Sequence, residues 1–190
     1  MSPTKILDKI LRQRSKKRIT LKNFNPSAVL VPIFENPKGQ ENLLFTVRNQ
    51  EVRHHKGEVC FPGGVYDKKD HFLMNTALRE AEEEIGIKAE DVLILGELDE
   101  IITPTLFRIN PFVGRIPYPY PFKINEKEIA SVLEIPLQYF MDESHLEIKK
   151  MNFEGEEVEI PFYHWENHTI WGATGRIVWQ LINLLHDDKK

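Results

Sequence analysis

The stretch from Pro62 to Gly86 constrains this chain more than any other. Pro62-Gly63-Gly64 stops an apolar run, Tyr66-Asp67-Lys68-Lys69-Asp70 reads as a polar loop, and Asn75 or Thr76 can cap a helix running to about Ile85. Gly86 follows as the residue that ends it. Residues three and four apart share a helix face. Glu80, Glu83 and Glu84 therefore converge, while Leu78, Ala81 and Ile85 point to a side that can enter a core. Glu82 projects away from Glu80. Arg79 can pair with Glu83, or with Asp70 arriving from the loop. Three carboxylates on one face repel by a few tenths of a kcal/mol per pair. A hard cation such as Mg²⁺ or Mn²⁺ offsets that repulsion, because it prefers carboxylate and carbonyl oxygens. Taken alone, an acidic helix reads as a solvated face, since Glu-rich helices are common. The glycines beside it change the balance, since they allow close backbone approach and can offer a carbonyl.

Around this segment the pattern is mostly strand. Ala28 to Phe34 and Leu43 to Arg48 are β-branched and aromatic runs joined by Asn36-Pro37-Lys38-Gly39, which predicts a hairpin. Glu58 to Phe61, Val92 to Leu98, Arg108 to Ile116, Ala130 to Ile135, His145 to Phe153 and Val158 to Tyr163 read as further strands. Each proline of Pro117-Tyr118-Pro119-Tyr120-Pro121 removes a donor, so this run predicts an exposed, stiff loop. A last helix follows Gly172-Ala173-Thr174, with Ile177, Val178, Leu181, Ile182 and Leu185 on one face. Strands, helix, strands, helix predicts an α+β chain, an α/β/α sandwich around a mixed sheet.

Charge is distributed unevenly. Residues 1–22 carry +7, so the remaining chain carries −11 of the overall −4. Such a tail can suit nucleic acid or a membrane surface, but Ile6, Leu7, Ile10 and Leu11 form the stripe of a short amphipathic helix docking on a body. We therefore read residues 1–24 as a basic amphipathic extension, a solvated helix followed by a linker, and 25–190 as the main domain, with neither nucleic acid nor membrane as partner. No RNA-binding aromatic signature accompanies the basic residues, and no apolar run reaches the roughly 18 residues needed to span a bilayer. The lone Cys60 excludes an internal disulfide framework and fits a reducing, cytoplasmic setting. Within Val59-Cys60-Phe61 it reads as a small buried core residue.

Gly64, Asp70 and Arg79-Glu80-Ala81-Glu82-Glu83-Glu84-Ile85-Gly86-Ile87 resemble the box of the Nudix hydrolases. Asp70 stands where that family usually has Glu, and eight residues rather than seven separate it from Arg79. By this resemblance Glu80 and Glu84 are the principal Mg²⁺ or Mn²⁺ ligands, with Glu83 and the Gly64 carbonyl completing the site. Arg79 orients the glutamates. Glu80, Glu83 and Arg79 make up the catalytic group, with Glu83 one candidate base beside acids from later loops.

A second signature lies upstream. Leu43-Leu44-Phe45-Thr46-Val47-Arg48-Asn49, Arg53, Gly57 and Phe61-Pro62-Gly63-Gly64 resemble the motif of the coenzyme A pyrophosphatase branch, with Phe45 as an extra residue and Asn49 in place of Ser. That branch also shows the aspartate and the longer spacing. The resemblance implies hydrolysis of coenzyme A, or a derivative, to 3′,5′-ADP and 4′-phosphopantetheine. Arg48, Arg53, Gly63 and Gly64 would then hold substrate, arginine matching phosphate through its planar fork. Adjacent His54 and His55 point oppositely on a strand and so do not read as a metal pair. Phe107, Tyr118, Tyr120 and Trp165 suit adenine stacking or core packing alike. The resemblance is also compatible with a homodimer. Two alternatives stay open: another nucleoside diphosphate derivative such as ADP-ribose, or a nucleotide sensor without turnover.

Overall fold

The computed structural model describes residues 2–20, 23–49, 57–153 and 156–187. In chain order these form α1 (Pro3–Gln13), β1 (Asn25–Glu35), β2 (Glu41–Arg48), β3 (Val59–Cys60), β4 (Gly63–Val65), α2 (Leu73–Ile85), β5 (Leu93–Glu97), β6 (Ile101–Ile102), β7 (Phe107–Arg115) and β8 (Ile129–Pro136). Then come α3 (Leu137–Met141), β9 (Leu146–Phe153), β10 (Glu156–Trp165), β11 (His168–Ile170) and α4 (Gly172–Asp187).

The main sheet runs β3-β2-β1-β7-β5, with β4 beside β1, β6 beside β7 and β8 beside β2. β1 and β7 are parallel, with Asn25 opposite Phe107 and Ile33 opposite Arg115. Their neighbours pair antiparallel, so the sheet is mixed, in the α/β/α sandwich that the pattern predicts. Both faces of β1 and β2 are covered, which is why their apolar runs do not alternate. One face carries α2, whose Ala77, Ala81 and Ile85 pack with Leu30, Phe34 and Leu44. The other holds α1, α3 and α4, with Leu7, Leu11, Phe140, Val178 and Leu181 around Phe45 and Val113. β9, β10 and β11 form a separate antiparallel sheet. Among the described residues, no helix is long and apolar enough to cross a membrane.

Several details depart from the pattern. α2 begins at Leu73 rather than at an Asn75 or Thr76 cap, because Thr76 is fully buried and its hydroxyl donates to Asp70 Oδ2 at 2.8 Å. Gly63 and Gly64 continue as strand β4 instead of ending one, since the edge of β1 at Ser27–Val29 is free to pair with them. α4 starts at Gly172, before Thr174. Cys60 is half-buried beside Thr46, its thiol pushed up to about 11 by burial. The proline-rich loop is anchored rather than free. Tyr118 stacks on Phe34 at 4.7 Å, and the Tyr120 hydroxyl donates to Asp91 at 2.7 Å while accepting from the Lys88 amide. Both rings, like Trp165 packed edge-on to Tyr139, are engaged in the body.

The basic extension is equally engaged. Leu7 and Leu11 of α1 are buried, and Glu41 accepts from the Thr4 amide at the start of that helix. The expected linker is instead pinned: Arg14 pairs with Asp99, Lys16 with Glu97 and Asn110, and Glu100 accepts from the Ile19 amide. Buried and partly buried partners on the body outcompete solvent for these cations. Together α1 and residues 14–19 lie against β5 and the segment that follows it.

Candidate active site

Alanines at 77 and 81 let α2 lie close on β1, and that contact fixes which residues face the neighbouring glycine strand. Asp70 secures the approach to the helix. Its buried carboxylate accepts a two-armed contact from Arg79, with Nε at 2.8 Å and Nη2 at 3.2 Å. It also accepts from the Thr76 hydroxyl and the Asp67 amide. The Arg79 hydrogen bond is the main reason its pKa falls to about 2. Arg79 Nη1 then reaches Glu80 Oε1 at 2.8 Å and Glu83 Oε2 at 2.9 Å. One guanidinium thus ties the loop to two glutamates of the helix.

Gly64 makes room for Glu80. A Cβ on Gly64 would lie 2.5 Å from both Cδ and Oε1 of Glu80, so any side chain there displaces the carboxylate. Glu84 meets the same strand one residue earlier, accepting from the Gly63 amide at 3.3 Å. Ladder bonds from Leu30 N to Pro62 O and from Tyr66 N to Pro26 O flank the Ala28–Gly64 pair. Antiparallel alternation then turns the Gly64 carbonyl towards β1 and the Gly63 amide group away from it, on the side where Glu84 lies.

Glu84 is 2% exposed, and burial pushes its pKa up to about 8. The Arg48 guanidinium, 3.8 Å away, and the Gly63 N–H oppose that rise, while Glu80 and Glu128 add to it. Glu80 is likewise raised by burial, against the opposing Arg79 charge. Two carboxylates desolvated side by side over a glycine strand form a donor set that suits a hard divalent cation. Among the described residues no three His, Cys, Asp or Glu side chains already stand at metal-holding distance. Glu83, with 55% of its side chain exposed and held by Arg79, stands apart from buried Glu84 and half-buried Glu80. Arg48, at the end of β2, has a buried Nε without a hydrogen-bond partner among the described residues. Arg53 falls outside the described residues, as do His54, His55 and Lys56.

Glu128 is the acid that sequence reasoning missed. It sits in the turn before β8, where Asn125 Nδ2 donates to Glu128 Oε1 at 3.1 Å. The Asn125 amide donates to the Glu84 carbonyl at 2.9 Å, and the Asn49 amide to the Glu128 carbonyl at 2.8 Å. This turn therefore rests on the end of α2 and the end of β2 together. Asn125-Glu126-Lys127-Glu128 reads locally as an ordinary polar turn, and only the β8–β2 pairing brings it to the glutamates.

Comparisons with known proteins bear on the family and the fold. The model of the NUDIX domain matches residues 24–167. A protein of Photorhabdus laumondii described as an uncharacterized Nudix hydrolase NudL is 38% identical over 159 residues, 84% of each chain. A protein of the same description from Yersinia pestis is 39% identical over 152 residues, 80% of this chain and 75% of that one. Among solved structures, a MutT protein from Methanosarcina mazei superposes with a TM-score of 0.54 at 17% identity, covering 94% of this chain and 100% of the other. A MutT/nudix family protein from Enterococcus faecalis gives 0.56 at 14% identity, covering 98% of this chain and 75% of that one. At such identities these two report on the fold.

Proposed function

This chain belongs to the Nudix domain family, and from that premise we propose that it hydrolyses the diphosphate linkage of coenzyme A or a derivative, giving 3′,5′-ADP and 4′-phosphopantetheine. One observation carries the reading. The two adjoining sequence signatures meet at Glu84: Arg48 from the upstream motif stands 3.8 Å from it, and Gly63 donates to it.

Glu80 and Glu84 would bind the cation, with Glu83 turning in from the helix and the backbone carbonyl coming from Gly63 rather than from the expected Gly64, whose carbonyl faces β1. A bound Mg²⁺ or Mn²⁺ supplies Lewis-acid polarisation of the phosphoryl oxygens and a water of lowered pKa. Arg79 holds Glu80 at Oε1 and Glu83 at Oε2, so it positions both carboxylates. Arg48, whose guanidinium stands beside Glu84, is suited to a phosphate oxygen, and Arg53 would add a second cation. Either Glu83 or Glu128 can take the proton from the attacking water, the first from the helix and the second from the turn before β8.

The substrate is tested by comparing kcat/KM for coenzyme A, ADP-ribose and a dinucleoside polyphosphate with Mg²⁺ present. Preference for coenzyme A, with both named products recovered, supports the reading. Brisk turnover of ADP-ribose with coenzyme A untouched would overturn the substrate and leave the family intact. Nucleotide binding without turnover of any of them would make the chain a sensor.

A further inference from the structure

β9 is the outermost strand of the three-stranded sheet, with β10 as its ladder partner on one side. On its other side, the backbone groups of Leu146 to Lys150 meet no further strand among the described residues. An edge of this kind is a template for one more strand. Two lysines in succession, Lys149 and Lys150, guard it against an arbitrary strand. Because successive side chains alternate, they guard it on both faces.

The two faces carry different chemistry. On the outer one, Glu147 and Lys149 lie 3.2 Å apart with about half of each side chain exposed, 51% and 46%. Lys149 stands over the Phe162 ring there, and Glu147 is hydrogen-bonded to His164. On the face towards α4 lies Ile148, 38% exposed.

A second copy of the chain can add its own β9 antiparallel, about a two-fold axis. Directly opposite residues then share a face, so the axis must pass through a residue rather than between two. Axes at Glu147, Lys149 or Lys150 set identical charges opposite one another, which is destabilising. An axis at Met151 sets Lys149 against Phe153. Within the strand, the axis at Ile148 alone sets Glu147 opposite Lys149 of the second copy, twice by symmetry, and Ile148 opposite Ile148. The lysine that repels other strands thus finds its acid in the same strand of another molecule.

We propose that β9 is a docking edge for a second copy of this chain, the two strands pairing antiparallel about Ile148 with reciprocal Glu147–Lys149 contacts. The two small sheets then join into one. The overlap runs only from Leu146 to Lys150 on each strand, a small contact of the weak, transient class.

Sedimentation of the full chain from micromolar to millimolar concentration should show a reversible monomer–dimer equilibrium. Glu147→Lys and Lys149→Glu each turn both cross-strand attractions into repulsions, so each variant alone should associate about tenfold more weakly or worse. Mixed in equal amounts, the two variants should associate as tightly as the unaltered chain, because acid again meets lysine at both crossings. That recovery cannot arise within one chain, where positions 147 and 149 carry like charges in either variant. The proposal is overturned if the unaltered chain stays monomeric throughout, if either variant alone dimerises as tightly as it does, or if the mixture associates no better than the separate variants.

Discussion

Replacing Gly64 with alanine sets backbone tolerance against carboxylate geometry at one atom. The new Cβ would lie 2.5 Å from Cδ and Oε1 of Glu80 and 2.8 Å from Oε2. Carbon atoms in contact sit about 3.5–4.0 Å apart, so the carboxylate must retreat by about 1 Å. It can do so, because it is the far end of a flexible side chain. The backbone at Gly64 does not use the left-handed region, so alanine suits it, and stability should change by less than about 1 kcal/mol. A misplacement of about 1 Å in a reacting constellation costs about a hundredfold in rate. Gly63→Ala provides the contrast. Its Cβ would meet the Ala28 carbonyl oxygen at 2.4 Å and Val29 Cα at 2.7 Å, and backbone cannot step aside, so it should lose about 1–3 kcal/mol. Urea unfolding and Mg²⁺-dependent hydrolysis on the same preparations separate the two effects. Normal turnover in folded Gly64→Ala would refute the claim that Glu80 must rest on the glycine strand.

Further outcomes follow from the same geometry. Asp70 has its folded pKa lowered from 3.8 to about 2, so it contributes stability above pH 3.8 that disappears as pH falls towards 2. Asp70→Asn should therefore cost about 2 kcal/mol at pH 7, with the gap to the unaltered chain closing below pH 4 in denaturant titrations. Glu84 behaves oppositely. Its folded pKa is raised from 4.5 to about 8, so its stabilising effect is complete below 4.5 and lost as pH climbs through 8. Without divalent cations, Glu84→Gln should melt higher than the unaltered chain at pH 8 and converge with it near pH 5, while Mn²⁺ should raise the Tm of the unaltered chain alone. In α1, Leu7→Ala should cost about 2–5 kcal/mol, because Leu7 is completely buried, yet leave turnover per folded molecule unchanged.

How much of this was legible depended on how local the signal is. The face shared by Glu80 and Glu84, with Ala81 and Ile85 turned to the core, follows from helical spacing, and the structure keeps it. The Arg79 pairings with Asp70 and Glu83 were also within reach, since both partners lie within a few turns of chain. The start of α2 was not. Thr76 looks like a cap, and only the tertiary position of Asp70 shows that its hydroxyl is occupied elsewhere. Gly63 and Gly64 look like a strand stop because propensity cannot report the free edge of β1 that recruits them. Glu128 was invisible for the same reason, being delivered by β8 pairing with β2. The basic extension misled through composition, as charge content says nothing of Glu97, Asp99 and Glu100 waiting on the body.

The central claim is that Glu80 and Glu84 hold a divalent cation for diphosphate hydrolysis. It is tested most directly by incubating coenzyme A with the full chain and with Glu84→Gln, each with and without Mg²⁺, and identifying products by mass. We expect equimolar 3′,5′-ADP and 4′-phosphopantetheine from the unaltered chain with Mg²⁺, and at least a hundredfold less from the folded variant, on the order of the loss when one group stabilising the transition state is removed. Equal product from the two proteins, or product formation indifferent to Mg²⁺, would contradict it.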